Sequence, residues 1–570
     1  MNTRVSEWKG IDWQRVNIEL KLLQAKLYKA LKDNASSDEI RKIHNTIITS
    51  FSARAYAIRK ITSSKGRKTP GIDGKLYTTD EQKWEAIKLL KAFNRNTYRA
   101  KPVKRVWIPK GDGTLRPLGI PAIYDRAVQT LYSFILDVHQ ENTANARSFG
   151  FRRGRSAKQA IEYAWLLSSG KKRFIMAVDV KKAYDSVSHQ WLRSNLPISR
   201  TVIEQWLKAG VLDKSQLSVD HCGVPQGGPI SPIIFNMVMN GIEDEIMKAN
   251  KRVYPIRFAD DITVFGDTKE EVEQMKEVIS NFLKPRGMVV NEEKTKVVEI
   301  NKGVDFLGYN IREYPDSTRV GKKGKPHKKG ILLIKPSVKA INRFKLSVEE
   351  AFKTHKQSSA YRLIMKLNPI IRGWSNYFNA GGGWTKTKNI LGKWIWTKLK
   401  QWVYKKHRLL GSRTALSKYF KGVQRRTSYF NKWTFFAMKN GKEILLCDIQ
   451  EILVDRENTL PFKESPNPYN PSDYEKVDAR LKRQAKQDKR LSLLKINLLR
   501  KQDGYCPLCG VVIDLNSEQV ERDHIIPLKQ GGADTFKNTA LVHKTCHERK
   551  TAFDRKMIAL SKRLNKSLSK

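Results

Sequence analysis

Cysteine is scarce in this chain, acid is outnumbered, and no long apolar run occurs. Five cysteines among 570 residues form no even disulfide framework, and three of them, Cys506, Cys509 and Cys546, crowd near the C-terminal end at metal-ligand spacing. Cys222 and Cys447 stand alone and are read as small apolar residues without a chemical role. The lack of any run of about 18 apolar residues excludes a membrane-spanning helix, and no cationic, then apolar, leader is visible; the chain is expected to be intracellular and soluble. No internal repeat or long low-complexity tract is present, so a chain of this length is expected to hold roughly three or four domains, each with its own core. The deficit of acid is the largest of all. With 108 Lys and Arg against 56 Asp and Glu, the formal net charge is +52. A folded chain this basic requires a polyanion to offset its self-repulsion, and nucleic acid is the commonest one.

The pattern along the chain divides it. Leu20, Leu22, Leu23, Leu27 and Leu31 recur at helical spacing, which predicts amphipathic N-terminal helices with Lys and Arg outward, accessory to the chemistry. The turn Thr69-Pro-Gly-Ile-Asp-Gly74 breaks that pattern, and mixed helix and strand follow to about residue 315. A basic breaker, residues 321–330, precedes a helical region from about 335 to 440 in which Trp374, Trp384, Trp394, Trp396, Trp402 and Trp433 alternate with Lys and Arg. Most of these rings are expected in the core, although aromatic rings among basic residues also stack single strands. Four prolines in the twelve residues from Pro461 to Ser472 predict an extended linker, followed by one strongly basic helix from about Asp473 to Lys501 and a small separate unit from Gly504.

The chemistry starts from three carboxylates. Asp179 ends the apolar run Phe174-Ile-Met-Ala-Val-Asp-Val180, and Asp260 and Asp261 lie between two β-branched and aromatic runs in Tyr254-Pro-Ile-Arg-Phe-Ala-Asp-Asp-Ile-Thr-Val-Phe265, which predicts a hairpin with both acids at its turn. Asp-Asp alone would be an ordinary turn. Three clustered acids, however, repel one another unless they bind cations, and they are the hard oxygen ligands that two Mg²⁺ ions need for in-line phosphoryl displacement. Tyr184, five residues after Asp179, is placed to clash with a ribose 2′-hydroxyl. Gly223-Val-Pro-Gln-Gly-Gly-Pro-Ile-Ser-Pro232 permits close backbone approach around Gln226, and Trp107 to Ile120 sets Lys110 and Arg116 about a basic hairpin turn suited to a triphosphate. Lys294 in Asn291-Glu-Glu-Lys-Thr295 and the strand-like Phe306-Leu-Gly-Tyr309 complete the series.

This ordered series resembles the reverse transcriptase family from about residue 100 to 310. The resemblance implies metal binding by Asp179, Asp260 and Asp261, deoxyribose selection by Tyr184, Lys110, Arg116, Gln226 and Lys294 at the incoming nucleotide, and Phe258 with Phe306, Leu307, Gly308 and Tyr309 at the primer. Phe258 is a departure, since the family usually has Tyr before Ala-Asp-Asp. Asn368-Pro-Ile-Ile-Arg-Gly-Trp-Ser-Asn-Tyr-Phe378, with Ser148 to Ser156 and Thr69 to Gly74, is similar to group II intron-encoded proteins, whose thumb or maturase domain binds intron RNA. Structured RNA is recognised by shape and backbone, in keeping with the positive charge.

In the tail, Cys506-Pro-Leu-Cys509 and His543-Lys-Thr-Cys546 make a four-ligand Zn²⁺ set of the Cys₃His type, a staple that a unit with so little core requires. Between and after them lie Asp523-His524, Asn538 and His547, in an order that resembles the HNH endonucleases, a ββα fold around one divalent metal. That resemblance implies His524 as general base, Asp523 and His547 holding Mg²⁺, and Asn538 orienting the loop. A zinc-binding DNA module without catalysis is the rival reading of the tail.

The fold class expected is α/β multidomain: N-terminal helices (1–65), right-hand polymerase fingers and palm with an antiparallel sheet (66–315), α-helical thumb or maturase domain (330–440), a DNA-binding region (441–502) and the zinc-stapled nuclease (503–570). The function expected is an RNA-directed DNA polymerase, intron maturase and DNA endonuclease. Its expected partners are group II intron RNA, target double-stranded DNA and dNTPs, in a bacterial cytoplasm or nucleoid in preference to an organelle matrix. A splicing factor with weak or lost polymerase activity, or a reverse transcriptase of another class, is the alternative.

Overall fold

The computed structural model describes residues 7–109, 115–170, 172–213, 216–218, 222–224, 227–314, 330–424, 432–454, 466–487, 491–515 and 519–568. The N-terminal helices Trp13–Lys32, Ser37–Thr49 and Phe51–Ser63 each begin at a side-chain cap, Asp12, Ser36 and Ser50, whose oxygen accepts backbone N–H groups left over in the first turn. Val16, Leu20 and Leu27 are buried while Leu22 is exposed, so the leucine spacing selects one face. That face packs on the long helix Ile123–Thr143, and one continuous apolar core runs from these helices into the central sheet. The N-terminal segment thus shares its core with the central region.

The central sheet is antiparallel throughout, in the order Tyr254–Phe258, Asp261–Gly266, Phe174–Val178, Lys296–Glu299. The helix Lys269–Leu283, opened by a capping box between Thr268 and Glu271, covers one face. Residues 148–150 run beside the edge strand: Phe149 N–H donates to the Arg257 carbonyl and Arg257 N–H to the Arg147 carbonyl. Gly150 is needed there, because a Cβ would lie 2.5 Å from the Ala259 nitrogen. The second sheet has the order Leu115–Ile120, Val103–Pro109, Val211–Asp213, Gln216–Ser218. Its first two strands are the arms of the expected basic hairpin, whose turn residues 110–114 lie outside the described residues.

Helices Val338–Thr354, Ala360–Phe378 and Trp384–Lys406 lie in the region expected to be helical from about residue 335. Trp384 and Trp402 are core, burial of a large apolar side chain contributing about 2 kcal/mol or more. The helical reading fails beyond Lys418. Phe420–Val423, Lys432–Lys439 and Lys442–Leu445 form a three-stranded sheet, and Trp433 sits on its central strand, 52% exposed. Residues 321–329 of the basic breaker lie outside the described residues.

Four further expectations are corrected. Phe306 to Tyr309 is a turn between the paired strands Val304–Phe306 and Tyr309–Tyr314, with positive φ at Leu307 and Gly308. The proline-rich stretch is no free linker where it is described: Pro466 to Tyr469 is buried, and the Tyr469 hydroxyl bonds the Asp137 carboxylate. Prolines exclude a regular helix here but not a buried strap with a 3₁₀ turn at Pro471–Asp473. The basic segment is two helices, Tyr474–Gln487 and Leu493–Lys501, because Ser492 caps a new start. Cys222, read as a small apolar residue, is exposed.

The tail is a ββα unit: strands Val520–His524 and Thr539–His543 pair, and the helix Lys544–Leu568 follows. Its core is continuous with that of the N-terminal helices. The Arg59 guanidinium lies 4.9 Å from the Trp13 ring and is close enough to Cys546 to bias its ionisation, while Arg549 and Asp12 approach to 3.9 Å. Among the described residues no helix is long and apolar enough to cross a membrane.

Candidate active sites

The pairing of Phe258 with Asp261 leaves Ala259 and Asp260 as a two-residue turn, with Ala259 at φ +57°. Val178 pairs with Ile262, so Asp179 emerges beside Asp261 at the same end of the sheet. Asp260 and Asp261 reach solvent, but protein crowds their bases. This partial desolvation raises the Asp260 carboxyl and pushes that of Asp261 up to about 6; for Asp261 the charges of Asp260 and Asp179 add to it. Arg116, on the strand Leu115–Ile120, opposes both shifts, which places its charge near the acids.

Residues far away in sequence seat Asp179. The Asn291 side-chain amide donates to Asp179 Oδ2 at 2.9 Å, Asn291 N–H donates to the Asp179 carbonyl at 2.7 Å, and Asp179 N–H donates to Thr295 Oγ1 at 3.2 Å. The Asn291 to Thr295 segment was singled out for Lys294, which is exposed on its turn; Asn291 itself was missed. Tyr184 stacks on Phe235 with centroids 4.2 Å apart, and burial followed by the charge of Asp260 raises its phenol. Lys110 and Gln226 lie outside the described residues.

Phe258 is half-buried, its ring 6.3 Å from that of the exposed Phe151. Phe306 and Tyr309 are buried beneath the helix Ala360–Phe378. Tyr309 donates its hydroxyl to the Tyr377 carbonyl, and Tyr377 donates its own to the Leu307 carbonyl at 3.0 Å. The Tyr377 phenol is pushed up to about 12 by burial and, secondarily, by Asp261. The C-terminal end of the helix Ala360–Phe378 therefore lies near enough to Asp261 for its charge to act on Tyr377, a proximity for which the sequence holds no local signal. Carboxylates crowded so that the charges of Asp179 and Asp260 raise the Asp261 carboxyl are a donor set that suits divalent cations.

In the tail, the Cys506, Cys509, His543 and Cys546 ligand atoms all lie within 4.8 Å of one another, and all four residues are buried. Cys509 Sγ lies 3.3 Å from His543 Nδ1. Soft sulfur and imidazole converging in a buried position make a possible metal site suited to a tetrahedral ion.

On the outer face, His547 Nε2 is 3.5 Å from Asp523 Oδ1, and Lys550 Nζ is 3.6 Å from Asp523 Oδ2. Glu521 Oε2, 2.7 Å from His547 Nδ1, holds that nitrogen and leaves Nε2 facing Asp523. His524 Nε2 is 3.0 Å from Asp534 Oδ1. Asn538 ties the intervening loop: its amide donates to the Ile526 and Ala533 carbonyls at 2.9 Å, and its oxygen accepts from Ile526 N–H at 2.9 Å. Gly532 lets that loop close, because a Cβ would lie 2.0 Å from the Ile526 oxygen. Glu521 and Asp534 were missed. Glu521 is two residues before Asp523 and so on the same strand face, a signal that alternation could have supplied.

Four family models match the chain: the N-terminal domain of reverse transcriptase over residues 8–90, reverse transcriptase (RNA-dependent DNA polymerase) over 108–311, the group II intron maturase-specific domain over 341–420, and HNH endonuclease over 506–553. Protein YkfC of Escherichia coli is 29% identical over 340 residues, which span 51% of this chain and 88% of that protein. The group II intron-encoded protein LtrA of Lactococcus lactis is 25% identical over 410 residues, spanning 56% of this chain and 68% of LtrA. Among solved structures, a telomerase from Candida albicans aligns at a TM-score of 0.32 and 14% identity, covering 57% of this chain and 64% of that one. The chain belongs to the group II intron-encoded proteins that join a reverse transcriptase, a maturase domain and an HNH endonuclease. It is an RNA-directed DNA polymerase and a DNA endonuclease, on a fold with an antiparallel polymerase sheet and a ββα tail whose buried Cys and His side chains could hold a metal ion.

Proposed function

We propose that this protein carries its intron into new DNA sites by target-primed reverse transcription. Bound to excised intron RNA, it acts while that RNA inserts into one DNA strand, nicks the other with its tail, and copies the intron from the new 3′ end. The observation that carries the reading is that one chain gathers Asp179, Asp260 and Asp261 at a sheet end and, separately, Asp523 against His547 on a ββα unit.

Asp179, Asp260 and Asp261 would hold two Mg²⁺ ions, which when bound stabilise the attacking and leaving oxygens of phosphoryl transfer. Arg116 steadies the triphosphate, with Lys110, Gln226 and Lys294 assigned to the same nucleotide. Tyr184, fixed by Phe235, lies beneath the sugar and excludes a 2′-hydroxyl. Phe258 and the turn from Phe306 to Tyr309, clamped by Tyr377, hold the primer terminus. In the tail, Cys506, Cys509, His543 and Cys546 would hold Zn²⁺ as a structural staple, and Asp523 and His547 one Mg²⁺. His524, oriented by Asp534, takes the proton from the attacking water, and Asn538 keeps the loop in place.

The domain boundaries proposed are 1–65, 66–315, 330–440, 441–502 and 503–570, with the strand Lys442–Leu445 pairing back across residue 440 onto Lys432–Lys439. The basic segment, with Lys482, Arg483, Lys486 and Arg500 around one concavity, grips the target duplex in a salt-dependent way. A bacterial cytoplasm or nucleoid is the proposed compartment, in keeping with the LtrA relative from Lactococcus lactis. The test is reconstitution of the protein with its lariat RNA and a duplex carrying the target site. The expected products are a nick in the second strand and cDNA joined covalently to that nicked 3′ end. cDNA that forms only from an added primer would overturn the proposal.

A further inference from the structure

Between the helix Trp384–Lys406 and the sheet of Phe420–Val423, Lys432–Lys439 and Lys442–Leu445 lies a cavity of about 310 Å³ that no step above uses. Trp433 and Phe435, two residues apart on one strand, face it from the same side. Phe435 is buried and Trp433 is 52% exposed, and the cross-strand pairing explains the difference. Phe435 pairs with Phe420, whereas Trp433 pairs with Gly422, which has no side chain to cover the indole. The Trp433 ring lies at 28° to that of Phe420 with centroids 6.4 Å apart, and Trp396 meets Phe420 edge-on at 4.7 Å. The result is an aromatic wall that ends in an uncovered ring at the cavity mouth.

The surroundings are basic. Lys393, exposed one turn before Trp396, lines the same cavity, and Lys400 lies 5.8 Å from the Trp396 ring. On the opposite lip lies Asp448, whose Oδ1 accepts the Gln450 N–H at 2.9 Å and whose carboxylate keeps acceptor capacity for the edge of whatever stacks there. A bare indole, polar groups at its edge and lysines beside it match the three parts of a nucleotide: ring face, ring edge and phosphate.

We propose that this cavity is a subsite for one unpaired nucleobase of folded RNA, stacked on Trp433 with its flanking phosphates on Lys393 and Lys400. Duplex DNA keeps its bases paired and stacked, while structured RNA presents unstacked bases in loops and bulges. The proposal rests on the intron-RNA reading and adds a base-binding point to it.

The probes are RNA hairpins with a single bulged A, C, G or U and the same hairpin fully paired, titrated against the full chain at fixed salt. The wild type is expected to prefer a bulged hairpin. Trp433→Ala should weaken that hairpin roughly 5- to 150-fold, leave the paired one unchanged, and be largely rescued in Trp433→Phe. Equal wild-type affinity for all the hairpins, or an undiminished preference in Trp433→Ala, would overturn the subsite. A bulged DNA hairpin held as tightly through Trp433 would overturn its assignment to RNA. Failure to bind any RNA hairpin would remove the intron-RNA reading and the subsite together, a result distinguishable from loss of the preference alone.

Discussion

Replacing Glu243 by alanine would strand a buried guanidinium directly behind the polymerase turn. Arg257 lies one residue before Phe258, and its side chain and that of Glu243 are both wholly buried, with Nε 2.6 Å from Oε1. Asn236 and Asn240 accept from its remaining nitrogens at 3.3 and 3.0 Å, but they carry no charge. Removing the carboxylate leaves an uncompensated buried cation, which costs about 3 to 5 kcal/mol. Glu243→Gln keeps a hydrogen-bond acceptor and should cost less. In a chain of several domains the global melt is not two-state, so the loss is best read by hydrogen exchange of residues 254–266 and by the midpoint of the first thermal transition. RNA-templated extension should fall in parallel, and DNA nicking should not. A loss below about 1 kcal/mol in Glu243→Ala would refute the claim that the ion pair supports the catalytic hairpin.

Tyr184→Ala should admit ribonucleotides; extension assays with rNTPs in place of dNTPs that show unchanged sugar selectivity would remove its assigned role. Stripping the Cys506, Cys509, His543 and Cys546 site with a zinc chelator and restoring Mg²⁺ should abolish nicking and leave primer extension, while metal analysis of the untreated protein should find one zinc per chain. Survival of nicking without zinc would contradict the staple. His44 and His139 face each other with Nε2 atoms 3.0 Å apart, and burial pushes them down to about 4 and about 3. The unfolded chain takes up these protons near pH 6.5, so the stability they contribute is full above that pH. It is lost as pH falls toward 4, by up to about 1.4 kcal/mol per unit per histidine. Thermal melts between pH 7 and 5 should show this slope, and His139→Gln should flatten it.

What could be read in the sequence was local. The acid turn at Asp260 and Asp261 was legible because two adjacent strands and their turn are contiguous, and the Cys and His pairs because the two ligands of each lie three residues apart in the chain. What escaped depends on partners brought together only by folding. Asn291 reaches Asp179 across 112 positions, and Tyr377, more than 100 positions beyond Asp261, comes close enough to feel its charge. Glu521 contacts His547 only once strand and helix have packed. The basic segment broke in two because composition reports charge and helix propensity but not where Ser492 will cap. Trp433 was placed on a helix because aromatic and basic residues continue past Lys418 without a periodicity that separates helix from strand.

The central claim is that one chain holds two independent phosphodiester chemistries, polymerisation at Asp179, Asp260 and Asp261 and hydrolysis at Asp523, His524 and His547. Asp261→Ala and His547→Ala, assayed side by side on an RNA template with primer and on the target duplex with intron RNA, test it most directly. The expected result is that Asp261→Ala loses extension and keeps nicking, while His547→Ala loses nicking and keeps extension. DNA synthesis by Asp261→Ala, or joint loss of both activities in either folded variant, would contradict it.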